Sequence, residues 1–437
     1  MLALDRTWVW RAGAVGCAAA IVAICTGVPL AEWIDKFGDN IPTDHIVQDY
    51  LKGLLWAVAL GSSIPFWPVR SEDKRHLLIG WVIKGTICLT ALLPYEHLYS
   101  TLDGYGYFRE SEFFTLEPGS LSLGLGYSVM YALGRMHRIV GPASYHAMKV
   151  SFSFIGLIAL YIFFIAACEA FGKRSISYFY TLLAIPSILL WSSILGKEPV
   201  ILLGVAIYAL GVVRLARYSG VKHGLLIAIG IAIVAIIRIW MGTLLVISTL
   251  FVLLVQSKVT FKWLVGACVI TGAAIILGVT TEYKLMLPES ESPIDVYANI
   301  DRSWGRANSR LDFDVDFTDL KSILAFVPVG CLVALYSPMP WQAHNLPSAL
   351  ASIESCFAAL LTVMMVLKLR REHWRDKIFV WSAMLVVMWS LVYSLIAFRD
   401  LGSAVRYRLQ IMPIMVGTFY LVVRGGSHLS DGRRKLG

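Results

Sequence analysis

Residues 147–171, AMKVSFSFIGLIALYIFFIAACEAF, are apolar throughout except for a few small hydroxyls and two charges, Lys149 near one end and Glu169 near the other. A helix crosses the roughly 30 Å hydrocarbon layer of a membrane with about 20 such residues. Comparable stretches recur along the 437-residue chain, at 11–30, 51–68, 77–95, 175–194, 199–213, 224–239, 241–257, 262–280, 348–368, 377–397 and 411–424. The expectation is an all-α polytopic membrane protein with about twelve transmembrane helices, folded as one transmembrane domain over 1–437. The flank after the first stretch, Ala31-Glu32-Trp33, is a poor cleavage site, so that stretch reads as a retained span.

Composition points the same way. Hydrophobic residues make up 57% of the chain and charged ones only 15%, whereas soluble globular domains carry about a quarter charged residues. The formal charge of +9 needs no nucleic-acid partner, because basic residues accumulate on the cytoplasmic side of membrane proteins. Walker loops and dinucleotide fingerprints are absent from any suitable context. The seven cysteines show no CxxC spacing, which argues against a zinc site or disulfide framework and for small apolar packing residues.

Lys and Arg set the orientation. Arg6 and Arg11, the group Arg70, Lys74 and Arg75, then Lys173 and Arg174, Arg214 and Arg217, and the cluster Lys368, Arg370, Arg371, Arg375 and Lys377 fall on one face if both termini are cytoplasmic. The opposite face then receives long loops at 31–50, 96–146 and 281–347. Residues 322–337 are apolar enough to cross, but counting them would turn the basic cluster outward, so they read as a re-entrant or interfacial helix. Lys84, inside the third span, is expected to snorkel toward the cytoplasm. Asp312, Asp314, Asp316 and Asp319 alternate with apolar residues, a pattern of an amphipathic lid edge or, less simply, of a cation site.

Ionisable residues at the hydrocarbon boundary are costly and so are functional candidates. Glu96, Asp103 and Glu110 surround the aromatic Tyr105 and Tyr107 directly after the third span. Carboxylates can take a hydroxyl proton, and tyrosine rings stack on a sugar face; an ordinary aromatic belt is the competing reading. Lys197 precedes Glu198 and Pro199 at a helix start. Proline and glutamate there are normal capping, while the ammonium suits a phosphate or simply snorkels. Arg238 lies between two apolar helices, where it requires a partner or an anion. Arg399, Arg406 and Arg408 stand on the outer face against the basic bias, as guanidinium forks for phosphate would. Trp341 and His344, after Pro338-Met339-Pro340, are candidate sugar contacts or interfacial anchors. Glu354, within a span, reads as a structural partner for an arginine.

Several short motifs carry a resemblance: Leu102-Asp103-Gly104-Tyr105-Gly106-Tyr107, Pro186 to Trp191 leading into Gly196-Lys197-Glu198, Pro338-Met339-Pro340-Trp341, and Val405-Arg406-Tyr407-Arg408 before Pro413. Together they resemble membrane enzymes of bacterial polysaccharide biosynthesis, the GT-C glycosyltransferases and the polymerases of O-antigen and exopolysaccharide pathways. The resemblance implies a cell-envelope enzyme of the bacterial inner membrane that takes a sugar or glycan from a polyprenyl-phosphate or polyprenyl-diphosphate carrier and passes it to a glycan acceptor at the periplasmic face. It also implies that Asp103 acts as base or helps hold a divalent metal, and that Arg406 and Arg238 meet the diphosphate. GT-C enzymes place their acidic motif after the first span, where Asp39, Asp44, His45 and Asp49 lie here, so the base could sit there instead. A transporter or flippase for an anionic lipid-linked glycan would use the same cations along a path, but the matched half-repeats common in transporters are not evident.

Overall fold

In an apolar surrounding each backbone N–H must find its carbonyl within the same segment, so runs such as 147–171 fold as helices. The computed structural model describes residues 27–113, 125–218, 220–256, 320–343, 345–395 and 401–434, and among these it is all-helical with no strand. The chain forms α1 (Gly27–Phe37), α2 (Ile46–Ser63), α3 (Ser71–Leu98), α4 (Asp103–Phe113), α5 (Leu125–Val140) and α6 (Tyr145–Phe171). It continues through α7 (Ile176–Ala184), α8 (Pro186–Trp191), α9 (Lys197–Arg217), α10 (Val221–Ile237) and α11 (Ile239–Gln256). The last group is α12 (Leu320–Tyr336), α13 (Leu346–Lys368), α14 (Lys377–Tyr393), α15 (Leu401–Arg408) and α16 (Met412–Arg434).

By length and composition four helices can cross a membrane: Ser71–Leu98, Tyr145–Phe171, Lys197–Arg217 and Pro347–Lys368. Five more, in α10, α11, α12, α14 and α16, are apolar but shorter. The twelve full crossings expected from sequence are therefore not reached among the described residues. The expected span 262–280 and the Asp312–Asp319 run lie outside them, as does most of the first span.

Proline explains two departures. The stretch 175–194 is not one helix: Ile185 is extended (φ −80, ψ 115) before Pro186, dividing it into α7 and α8. A residue before proline is pushed out of the helical region, and proline itself opens the next helix easily. In α3 a wide turn at Ile87–Ala91 precedes Pro94, whose ring has no N–H to return to the preceding turn. A third departure is the segment 96–146, expected as an outer loop, which contains the two helices α4 and α5.

Close backbone approach holds the centre. A Cβ on Gly230 would lie 2.5 Å from the Tyr208 nitrogen and 2.6 Å from the Gly204 carbonyl oxygen, so α9 and α10 meet nearly backbone to backbone. Small residues permit this spacing, which maximises dispersion contacts where apolar burial from water contributes little. Gly156 of α6 similarly receives the Ser192 carbonyl. That contact places Ser192 and Ser193 around Lys84. The lysine is fully buried and donates to Ser192 O (3.0 Å), Ser192 Oγ (2.6 Å) and Ser193 Oγ (2.7 Å). It does not snorkel, because three neutral acceptors already satisfy its three donors inside the bundle.

The helices alternate in direction and sort the charges into two ends. One end gathers Asp73 with Arg174, Glu169 with Arg214, and Arg217 with Asp376. The other gathers Asp103, Glu198, Arg238 and Arg406.

Candidate functional site

Gly196 is extended before α9, and Lys197, Glu198 and Pro199 form the helix's first turn. Glu198 is buried at this N-terminus, where free N–H groups favour a negative charge. Both of its oxygens are taken by arginine. Arg406 Nε donates to Oε1 at 2.5 Å and Nη2 to Oε2 at 3.0 Å, a bidentate fork. Arg238 Nη2 donates to the same Oε1 at 3.0 Å.

Arg238 is extended (φ −142, ψ 98) between α10 and α11. Its guanidinium carbon lies 4.5 Å from the centre of the Tyr407 ring. The side chain is buried, at 6% exposure, yet Nη1 has no hydrogen-bond partner. A buried charged donor left unfilled costs more than an ordinary lost hydrogen bond, so an anion at this point would be stabilised.

Asp103, the first residue of α4, completes the rim. Its Oδ2 lies 3.4 Å from Arg406 Nη2 across 303 residues of sequence, and its side chain remains 45% exposed. Burial works against the Arg406 charge, but the carboxylates of Glu198 and Asp103 outweigh it and hold its proton more tightly than usual. Lys197 sits beside the pair with its ammonium 3.7 Å from the centre of the Tyr127 ring. Asp103 and Glu198 against Arg238, Arg406 and Lys197 leave one positive charge in excess.

Aromatic rings wall this cluster. Tyr107 packs against Tyr127 (5.9 Å between centroids) and Tyr131 (6.2 Å), and Tyr95 against Trp191 (5.9 Å). The Tyr107 hydroxyl is buried without a partner. Burial, followed by the nearby Asp103 charge, pushes its pKa up and keeps it a neutral donor. Two unfilled donors, Tyr107 Oη and Arg238 Nη1, thus belong to one charged, aromatic cluster.

The other sequence candidates sit elsewhere. Glu96 is buried, accepts from Lys149 Nζ at 2.7 Å and from the Tyr145 hydroxyl at 2.7 Å, and so pins α3 to α6. Tyr105 donates its hydroxyl to the Glu96 carbonyl at 2.9 Å. Glu110 is exposed on α4. Arg408, expected beside phosphate, is fully buried and donates to Glu354 Oε1 (3.1 Å), Leu335 O (2.9 Å) and Ser355 Oγ (3.0 Å). Glu354 also accepts from Ser187 N and Oγ, at 2.7 and 2.6 Å, so this pair ties α13 to α8 and α15. Trp341 is 79% exposed on a short turn. Arg399 and His344 lie outside the described residues. Of the alternative bases, Asp49 caps α6 by accepting from Tyr145 N and His146 N, both at 3.0 Å, and Asp39 pairs with His97 at 2.7 Å. Among the described residues no group of three or more His, Cys, Asp or Glu is placed to hold a metal ion.

Glu198 is the residue that sequence reasoning undervalued. Its one signal was a carboxylate on the first turn of a strongly apolar helix, a place where ordinary capping explains it equally well.

No known protein family, no curated protein and no solved structure matches this chain.

Proposed function

We propose that the protein is an integral-membrane glycosyltransferase or polysaccharide polymerase that takes a sugar or glycan from a polyprenyl-phosphate or polyprenyl-diphosphate carrier. One observation carries this reading: the buried Arg238–Glu198–Arg406 sandwich with an unfilled Arg238 Nη1, bordered by a half-exposed Asp103 carboxylate. A phosphate leaving group needs fixed positive charge where its own charge develops, and a hydroxyl nucleophile needs a base beside it.

In the proposed step the acceptor hydroxyl oxygen attacks the anomeric carbon, and the carbon–oxygen bond to the carrier phosphate breaks. The bonding pair leaves with the phosphate and is met by Arg238 and Arg406. The hydroxyl proton passes to Asp103. Attack opposite the leaving group inverts the anomeric centre. Glu198 holds the two guanidinium planes in register while the pocket is empty, and the aromatic wall supplies a face for the sugar ring.

Purified protein supplied with a polyprenyl-linked sugar and a glycan acceptor tests the proposal. Asp103→Asn is expected to lower kcat by about 10²–10⁴-fold as a lost general base. Arg238→Gln is expected to lower it by about 10²–10³-fold as a lost donor to developing charge. Transport of the intact carrier across vesicles without transfer, surviving both substitutions, would overturn the enzyme reading in favour of a flippase.

A further inference from the structure

The helix α5 lies across the Glu198 end of the bundle rather than along it. In its first turn, a Cβ on Gly126 would lie 2.6 Å from the Ile237 carbonyl oxygen and 3.3 Å from Lys197 Nζ, level with the end of α10 and the start of α9. After Val140 a short turn leads to Ser144, the N-cap of α6, whose Oγ donates to Asp49 O in the first turn of α2 at 3.0 Å. Both ends of α5 therefore sit where the helices of the bundle begin or stop.

A helix placed in this way turns one side to the bundle and the other to its surroundings. The bundle side carries Met130, Gly134 and His137, all buried. His137 Nδ1 lies 3.0 Å from Ser151 Oγ, which stands nearly two turns inside α6, roughly 10 Å below its start. Arg138 is drawn sideways onto α4, donating to Phe108 O at 2.9 Å and to Ser111 Oγ at 3.1 Å. The side facing away is apolar. Met136, Ile139 and Val140 are 61%, 76% and 71% exposed, and the half-buried Val129, Ala132 and Leu133 extend the same arc at helical spacing. Arg135 stands at the edge of the arc and turns Nη1 back to the Glu112 carbonyl at 3.0 Å.

This arc runs on into a second one. A Cβ on Gly141, just after α5, would lie 3.1 Å from the Trp56 ring, and Leu51, Leu55 and Val58 stand exposed around Trp56 along α2. A cluster of large apolar side chains this open would be costly in water. Acyl chains just below the head groups suit it, because amphipathic helices sink roughly 5–10 Å into that boundary. His137 reaches into the bundle by a similar depth.

We propose that α5 is an interfacial helix whose Met136, Ile139 and Val140 face is immersed among the acyl chains of the leaflet at the Glu198 end. The proposal holds whatever reaction the Glu198 cluster performs, because none of these three residues belongs to that cluster. It also sets the cluster beside lipid, since α5 carries the Tyr127 ring to Lys197.

Depth-dependent quenching tests the placement. In a background with the native cysteines replaced, Met136→Cys, Ile139→Cys and Val140→Cys are labelled one at a time with an environment-sensitive fluorophore. The full chain is then reconstituted in phosphatidylcholine vesicles, with Glu110→Cys, on the exposed side of α4, as the aqueous reference. Emission is expected to shift to the blue of the reference, and quenching by iodide to be lost. A phosphatidylcholine spin-labelled near the head group is expected to quench more strongly than one labelled near the middle of the bilayer. All three sites are exposed, so the labels leave the packed side of α5 intact, and agreement among them excludes a local effect of any one label. Iodide quenching equal to that at Glu110→Cys would put the face in water and overturn the proposal. Protection from iodide and from both spin-labelled lipids would overturn it in favour of a cover made by another segment of the chain or a second copy. Stronger quenching from the middle of the bilayer would overturn it in favour of a deeply inserted helix.

Discussion

Glu198 meets two guanidinium groups with two oxygens, so removing it differs from removing either arginine. Glu198→Gln leaves buried Arg238 and part-buried Arg406 facing each other with only the half-exposed Asp103 carboxylate, 3.4 Å from Arg406, to offset them. Breaking a buried ion pair in this way costs on the order of 3–5 kcal/mol, and a large fall in melting temperature is expected in detergent. Arg406→Gln should cost less, because Arg238 still neutralises Glu198. Asp103→Asn, at a half-exposed position with a 3.4 Å contact, should shift stability by no more than about 0.5 kcal/mol while lowering turnover. A thermal-melt series ranking these three variants otherwise would contradict the hub role of Glu198.

A second residue-scale outcome concerns acidity. His137 of α5 lies in a directed chain: Trp56 Nε1 donates to Ser151 Oγ (2.7 Å), Ser151 Oγ lies 3.0 Å from His137 Nδ1, and His137 Nε2 lies 3.1 Å from the Pro142 carbonyl. This fixes the neutral ring, with Nδ1 accepting and Nε2 donating. Burial lowers the His137 pKa, and the Arg138 charge adds to the effect against the pull of the Pro142 carbonyl. The unfolded chain therefore takes up a proton at higher pH than the folded one. Stability is full above the ordinary histidine value of about 6.5 and is lost as pH falls through the lower folded value. Melting temperature should drop on acidification through this range, and His137→Phe should flatten that dependence.

Asp103, Arg238 and Arg406 were legible because ions beside apolar runs are expensive and rarely accidental. Arg408 was grouped with them by proximity in sequence. However, residues two apart on a helix point to nearly opposite sides, and α15 turns Arg406 toward Glu198 and Arg408 toward Glu354.

Helix existence was readable from apolar runs, and the bounds of α6, α10 and α13 fall within a few residues of the expected spans. What the runs concealed were the interruptions, because hydropathy averages over Pro186 and Pro94 without registering their backbone consequences. The helices α4 and α5 escaped for the converse reason. They are too polar to register as spans, so hydropathy reads them as loop, although α4 positions Asp103 and α5 positions Tyr127. At this scale Gly230→Val is informative. Its added atoms meet the backbone of Tyr208 and Gly204, within 2.6 Å at the Cβ alone, so α9 and α10 must part. Overpacking of this kind costs about 1–3 kcal/mol. Because α9 carries Glu198 and α10 leads into Arg238, Gly230→Val should also reduce transfer activity without touching the pocket. A variant with lowered melting temperature but unchanged kcat would show that the pocket tolerates this displacement.

For the whole molecule, charge asymmetry gives a topology that can be checked directly. In a background with the native cysteines replaced, Glu110→Cys should react with an impermeant maleimide in intact cells, and Lys173→Cys only after permeabilisation. Labelling in the reverse order would invert the assignment of the two ends. Both ends then have distinct chemistry, an aromatic-walled arginine–carboxylate cluster on one and a basic cavity on the other, joined by helices whose interior encloses Lys84.

The Arg408–Glu354 lock reaches further than its own stability. Arg406 and Arg408 ride the same eight-residue helix, so the bolt that fastens one of them aims the other. On the proposed reading, a carrier phosphate reaching Arg406 would meet a guanidinium whose orientation is already set, with little freedom left to surrender on binding. Loosening the bolt with Glu354→Gln, remote from the carrier, should therefore appear as weaker carrier affinity before any change in the chemistry itself.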